Sequence, residues 1–274
     1  MSKRRRGEPE PGRRRRRGRL EDERPLVPRL SPRSREVRVL YVACEGESTE
    51  PDYLQYLNEQ FGDGDEKGRQ PFRIQPVYRR NGLTPSGAVA AARQAADEDE
   101  AWALFDRDRW DDIPQAIKAA AENGIEIAFS NPSFDLWLLL HFQPFGGAQG
   151  GSSKLVVEKL RQAKNAEAFH AYDKRGDKSI KGSRRDALKG REGVAVAHAR
   201  SLVAACAHGL CKPADAKTEP VDRAGEPWSY QDWAARAGHA RSCPVLQRDP
   251  STDVWRLLVA LGIGERAGGA RRDR

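Results

Sequence analysis

No stretch of this 274-residue chain approaches the roughly 20 apolar residues that a bilayer-spanning helix needs, so a membrane-spanning helical protein is excluded. The basic N-terminus is not followed by an apolar segment, so it does not read as a secretory signal, and the expected compartment is the cytoplasm. Cysteine is scarce. There are four, at positions 44, 206, 211 and 243, and without an export signal a disulfide framework is not expected. There is no internal repeat. Over most of the chain there is no excess of either charge: residues 1–36 hold 14 Lys/Arg against 6 Asp/Glu, which accounts for the whole net charge of +8, and residues 37–274 hold 34 of each.

What is present divides in two. The leader "MSKRRRGEPEPGRRRRRGRLEDERPLVPRLSPRSR" is rich in Arg, Pro and Gly. It has too little apolar surface to offset its ordering entropy and reads as disordered. Its run Arg13, Arg14, Arg15, Arg16 and Arg17 suits phosphate neutralisation and salt-sensitive binding of nucleic acid, with a solvated tail as the alternative. From Val37 the pattern changes to alternating strands and helices. "VRVLYVAC", "FRIQPVYR", "AWALFDRD" and "IEIAFS" predict four strands, the second weakened by Pro76. Between them, "STEPDYLQYLNEQF", the Ala-rich run after Thr84 and "DDIPQAIKAAAENG" predict helices, and "NPSFDLWLLLHF" predicts another after the fourth strand. This alternation predicts an α/β fold with a mainly parallel sheet over residues 37–145. Residues 146–153, "GGAQGGSS", form a connection, 146–262 read as a helical C-terminal part, and 263–274 as a frayed tail.

Ligands of open α/β sheets bind beyond the carboxyl ends of the strands. Here the first strand ends in Glu45, the third in Asp106 and Asp108, and the fourth in Ser130 and Asn131, with Asp135 one turn into the next helix. In extended backbone Asp106 and Asp108 point the same way, and two carboxylates facing together require a proton or a cation. Hard oxygen ligands with room for water suit Mg²⁺ or Mn²⁺, which can polarise a phosphodiester and activate water. Each signal taken singly also fits a turn or a helix cap. Glu47, Glu50 and Asp52, and likewise Asp111 and Asp112, read as acids favoured at helix starts. Arg107 and Arg109 flank the Asp pair and suit either a phosphate or local charge balance. Lys174, Lys178, Lys181, Arg184 and Arg185 form a basic patch that suits nucleic acid or simply solvent. His141 reads as helix-end packing. Cys206, His208, Cys211, His239 and Cys243 have paired-ligand spacing but match no standard zinc finger, and scattered thiols are the commoner outcome.

The segments "CEGESTEPDYLQYL", "ALFDRDRWDDIPQAIKAAAENGIEIAFSNPSFDLWLLLHF" and "DPSTDVWRLLVAL", in this order, resemble the RloB-like family, which includes AbiLii-type abortive-infection proteins. The resemblance runs from about Val37 to about Gly262. It implies similarity to the Toprim fold, in which a Glu follows the first strand and an Asp-x-Asp follows a later one, together holding Mg²⁺. Glu45 matches the first position and Asp106 and Asp108 the second. Asp135 stands where relatives often carry Glu, which keeps the carboxylate and shortens its reach. The resemblance further implies a role in anti-phage defence beside restriction-modification genes. Two functions are expected of the chain: a metal-dependent nuclease cleaving DNA or RNA through Glu45, Asp106 and Asp108, or a non-enzymatic nucleic-acid- or nucleotide-binding sensor for a partner ATPase, which the Arg-rich leader also suits. "ALFDRDRW" also resembles the first motif of haloacid-dehalogenase-like phosphatases, but it carries Trp110 where Thr or Val is usual and lies on the third strand rather than the first.

Overall fold

The computed structural model describes residues 37–264, apart from 66, 67, 109, 148, 149, 151, 222 and 224. The leader, including Arg13–Arg17, and Arg109 therefore lie outside the described residues. The chain alternates β1 (Arg38–Cys44), α1 (Thr49–Phe61), β2 (Phe72–Val77), α2 (Pro85–Ala96), β3 (Glu100–Asp106), α3 (Ile113–Asn123), β4 (Glu126–Asn131) and α4 (Phe134–Leu140). Helices α5 (Ser153–Gln162), α6 (Ser183–Leu188), α7 (Glu192–Ala204) and α8 (Tyr230–Ala235) follow, then a two-residue strand β5 (Ser251–Thr252) and α9 (Val254–Ala260).

The sheet has the order β2-β1-β3-β4-β5. The first four strands are parallel, and β5 runs antiparallel to β4. β1, β3 and β4 read as near-continuous apolar runs because both faces of a parallel sheet are covered, whereas the edge strand β2 alternates, with Phe72 and Ile74 buried. On one face Leu40, Val42, Trp102 and Leu104 pack with α1, α4, α5, α7 and α9 in a single core. On the other, Ala43, Ala101, Ala103 and Phe105 pack with α2, α3 and Trp233 of α8. Alternate residues of one strand thus serve opposite cores. The C-terminal helices share the first of these cores, and α9 leads directly out of β5. That strand is a departure from the helical expectation for residues 146–262. It is too short to give an alternating pattern, and its pairing with β4 joins Ser130 to Thr252 across 122 residues.

Local chemistry sets the element ends. Pro76 is tolerated because β2 is an edge strand, where a missing N–H costs no ladder bond. Thr84 caps α2, its hydroxyl accepting from the Gly87 N–H at 3.0 Å, with Pro85 pre-organised behind it. Gly124 closes α3 in the left-handed conformation, at φ 61°, as expected of Asn-Gly at a helix end. Asp112, expected to serve its own helix, accepts instead from the Ser86 N–H at the start of α2, at 3.0 Å.

Candidate metal centre

In the order β2-β1-β3-β4, the chain leaves β1 towards one side and returns on the other, so the switch point lies between β1 and β3. A crevice forms at such a point, outside the carboxyl ends of the strands. Here it is a pocket of about 370 Å³ lined by Glu45, Glu50, Asp106, Asp108, Asp135 and Lys178, with Trp110 and the loop Asn81–Thr84.

Glu45 stands one residue beyond β1. Its Oε2 accepts from the Asp106 N–H at 2.9 Å and its Oε1 from the Trp110 indole N–H at 2.8 Å. The carboxylate therefore straps the end of β1 to the end of β3, with an orientation set by a rigid ring. Burial and the nearby Asp108 and Asp112 still push its pKa up against these two hydrogen bonds. Asp106 ends β3. Burial first, then Glu50 and Glu45, hold its carboxyl well above the usual carboxylate range. Asp108 is exposed, and its pKa is also raised, by desolvation and by Asp135, with Lys178 opposing. Its φ of 29° places it in a turn, so extended backbone does not align it with Asp106. The turn brings it to the same pocket by a different route.

Glu50 belongs to this group and was hidden by its second role in the first turn of α1. It is buried, and its pKa is pushed to about 7 by desolvation and then by Asp135 and Glu45. Gly46 makes room for it, since a Cβ there would run into the Glu50 carboxylate. Asp135 is buried with both oxygens engaged: Oδ1 accepts from the Tyr172 hydroxyl at 2.6 Å, and Oδ2 from Lys178 Nζ at 3.0 Å and from Ser133 Oγ at 3.2 Å. Lys178 arrives from a distant loop that docks on the start of α1. There Thr49 Oγ1 donates to the Lys178 carbonyl at 3.0 Å and Asp52 accepts from the Ile180 N–H at 3.0 Å. Glu50 and Trp110 carry no site signal in local sequence, because each reaches the pocket through tertiary contacts, and Lys178, expected in a basic patch suited to nucleic acid, stands instead against Asp135 in the acidic pocket.

The remaining candidates are placed as follows. Ser130 is buried and bonded to Thr252 Oγ1 at 2.9 Å. Asn131 and Arg107 line a larger neighbouring groove of about 1010 Å³ that shares Asp108 and Trp110 with the acidic pocket. Lys181 is largely exposed and lies 3.4 Å from Asp52. Arg184 is buried, donates to the Ser179 carbonyl at 2.9 Å and stacks over Tyr172, so it holds the loop that carries Lys178 rather than offering a free guanidinium. His141 is fully buried, packs against Tyr53 and Trp137, and has its pKa lowered to about 4 by burial.

The donor set is all oxygen, and four of its five acids are pushed up in pKa with one lysine to balance them. Such a set fits a hard divalent cation. The carboxylates do not draw together tightly: among the described residues, the cluster with all ligand atoms within 4.8 Å of one another is a different one, built from cysteines. An ion among the acids would keep several of its waters, as Mg²⁺ commonly does.

Fold and pocket together define an α/β protein with an acidic pocket at the carboxyl ends of its parallel strands. The chain belongs to the RloB-like family, whose model, described as RloB-like protein, matches residues 40–261. Comparisons with curated proteins and with solved structures returned no match. Among the described residues no helix is long and apolar enough to cross a membrane.

Proposed function

We propose that this protein is a Mg²⁺- or Mn²⁺-dependent nuclease acting on nucleic-acid phosphodiesters in anti-phage defence. The observation that carries this reading is the convergence of Glu45, Glu50, Asp106, Asp108 and Asp135 on one pocket with Lys178 as the facing cation. Carboxylates crowded in this way take up protons or a divalent ion, and the raised pKa values of Glu45, Glu50, Asp106 and Asp108 express that demand. Glu45, Asp106 and Asp108 would hold the ion, with Glu50 and Asp135 completing the set. When bound, the ion polarises a phosphoryl oxygen and lowers the pKa of a water.

The chain's own groups supply the rest. Trp110 and the Asp106 amide fix Glu45. Tyr172, Ser133 and Lys178 fix Asp135. The Lys178 ammonium lies where it can pair with a substrate phosphate. Without the ion Glu50 holds a proton near neutral pH, at a pKa of about 7, and would give it up when the ion binds. The family membership and the motif order it shares with Toprim proteins support the same assignment and the defence setting.

The test is cleavage of single- and double-stranded DNA and RNA with Mg²⁺ or Mn²⁺, comparing wild type with Asp106→Asn and Asp108→Asn, alongside calorimetric titration of Mn²⁺. Loss of cleavage by at least about a hundredfold in either variant, with the fold kept, is expected on the scale of removed electrostatic catalysis. Full cleavage in both variants, or a wild type silent to Mn²⁺, would instead favour a binding protein that senses nucleic acid or a nucleotide for a partner ATPase.

A further inference from the structure

Away from the acidic pocket, four of the five cysteine and histidine residues with paired spacing converge. Cys206 follows α7, Cys211 lies five residues on, and His239 and Cys243 lie in the loop after α8. One ligand atom from each lies within 4.8 Å of all the others. His208 is not among them. It is half-buried, with its Nε2 3.1 Å from Ser242 Oγ.

The distances discriminate between possible roles. Cys206 Sγ and Cys243 Sγ are 3.8 Å apart, His239 Nδ1 is 3.3 Å from Cys211 Sγ, and it is 3.9 Å from Cys243 Sγ. A disulfide needs about 2.05 Å between sulfurs. A tetrahedral zinc with Zn–S of about 2.3 Å and Zn–N of about 2.0–2.1 Å sets ligand atoms roughly 3.5–3.8 Å apart along its edges. The three observed spacings, 3.3, 3.8 and 3.9 Å, lie within a few tenths of an ångström of those edges and far from a disulfide. Cys211, His239 and Cys243 are buried, and the ring of His239 turns Nδ1 towards the sulfurs.

Two further features fit a metal. Three thiolates and a neutral imidazole around Zn²⁺ carry one net negative charge, and a buried cation, Arg248, lies against the cluster. Its Nη2 donates to the Cys243 carbonyl at 3.2 Å, and its Nη1 to the Ala234 carbonyl at 2.8 Å. The Ala240 N–H also points at Cys211 Sγ, at 3.4 Å, as a donor to a ligating thiolate does.

We propose that Cys206, Cys211, His239 and Cys243 form a closed structural zinc site. All four positions are filled by protein, so the ion has no open place for substrate and its role is to brace the fold. On binding, each thiol gives up its proton to solvent and no redox change occurs. What the site braces is specific. From Cys243 the chain runs through Leu246 and Gln247, which wall the groove beside Asp108, to Arg248, whose carbonyl accepts from Ser251 of β5 at 2.8 Å. The zinc site would therefore fix the segment that bounds the approach to the acidic pocket from one side.

The experiment uses full-length protein purified without chelator from zinc-supplied cells. Elemental analysis is expected to find about one zinc per chain, and X-ray absorption about three sulfurs near 2.3 Å and one nitrogen near 2.0–2.1 Å. Cobalt(II) exchanged into the protein should give the visible absorption of a tetrahedral thiolate site. Cys243→Ser and Cys206→Ser are expected to lose the zinc and to lower the melting temperature, whereas Asp106→Asn keeps it. X-ray absorption on the wild type stands even if the cysteine variants fail to fold. Folded wild type with under about a tenth of a zinc per chain overturns the proposal. So do a Cys206–Cys243 disulfide in protein alkylated on lysis, zinc bound through oxygens only, and zinc lost from Asp106→Asn but kept in Cys243→Ser.

Discussion

Glu50 ties folding to protons and to the cation. Its pKa is about 7 in the fold against an ordinary value of 4.5, so the folded state holds a proton that the unfolded chain releases between those values. Stability therefore falls as pH rises from about 4.5 to above 7. In the absence of a divalent ion the melting temperature should decline across this window, by an amount equivalent to about 3 kcal/mol at most. Glu50→Gln, neutral at every pH, should flatten the decline and leave the acid-side stability in place. Mn²⁺ opposes the same repulsion, so it should raise the melting temperature of the wild type more at pH 8 than at pH 5. Thermal melts at stepped pH, with and without Mn²⁺, check both. An Glu50→Gln profile parallel to that of the wild type would mean that Glu50 sits elsewhere or stays ionised.

At the scale of elements, the most demanding contact is the buried carboxylate of Glu126 at the start of β4. It accepts from Arg256 Nη2 of α9 at 2.8 Å and from Arg236 Nε, just beyond α8, at 3.1 Å. All three residues are buried, with Arg256 over Trp102 and Arg236 over Trp233. Glu126→Ala would leave two guanidiniums without their carboxylate, and a loss of about 3–5 kcal/mol is expected from chemical denaturation. A loss under about 1 kcal/mol would show that water reaches these arginines. The same elements show what local sequence can reveal. The four parallel strands, their helices and the acids at their ends were legible because each rests on a run of about ten residues: the apolar block Val39–Ala43, Thr84-Pro85, Asn123-Gly124. Glu50 was not, because an acid in a first helical turn already has a local explanation. Lys178, Trp110, β5 and the Glu126 triad depend on partners 43 to 130 residues away, and no periodicity reports such contacts. Asp108 was expected at the pocket on the premise of extended backbone, which its φ of 29° does not satisfy.

The charge of the whole molecule is divided in a way that bears on its substrate. The excess of eight positive charges lies in residues 1–36, the rest is balanced, and the pocket proposed to cut a polyanion is itself acidic. A nucleic acid gains little by approaching Glu45, Asp106 and Asp108 until a cation sits among them, so the long-range attraction must come from elsewhere. We propose the leader's arginines as that source, since released counterions make such binding strong and salt-dependent. Deleting residues 1–36 should therefore weaken nucleic-acid binding and flatten its dependence on salt by roughly 0.7–0.9 in log–log slope for each phosphate contact removed. Asp106→Asn, by contrast, should bind nucleic acid with the wild-type slope while failing to cleave it. Fluorescence anisotropy from 50 to 300 mM KCl with a labelled oligonucleotide reads both proteins at once. An unchanged slope in the deletion would place the phosphate contacts on the folded body and leave the leader as a solvated tail. A slope that changes in Asp106→Asn would mean that the acidic pocket governs attraction as well as chemistry.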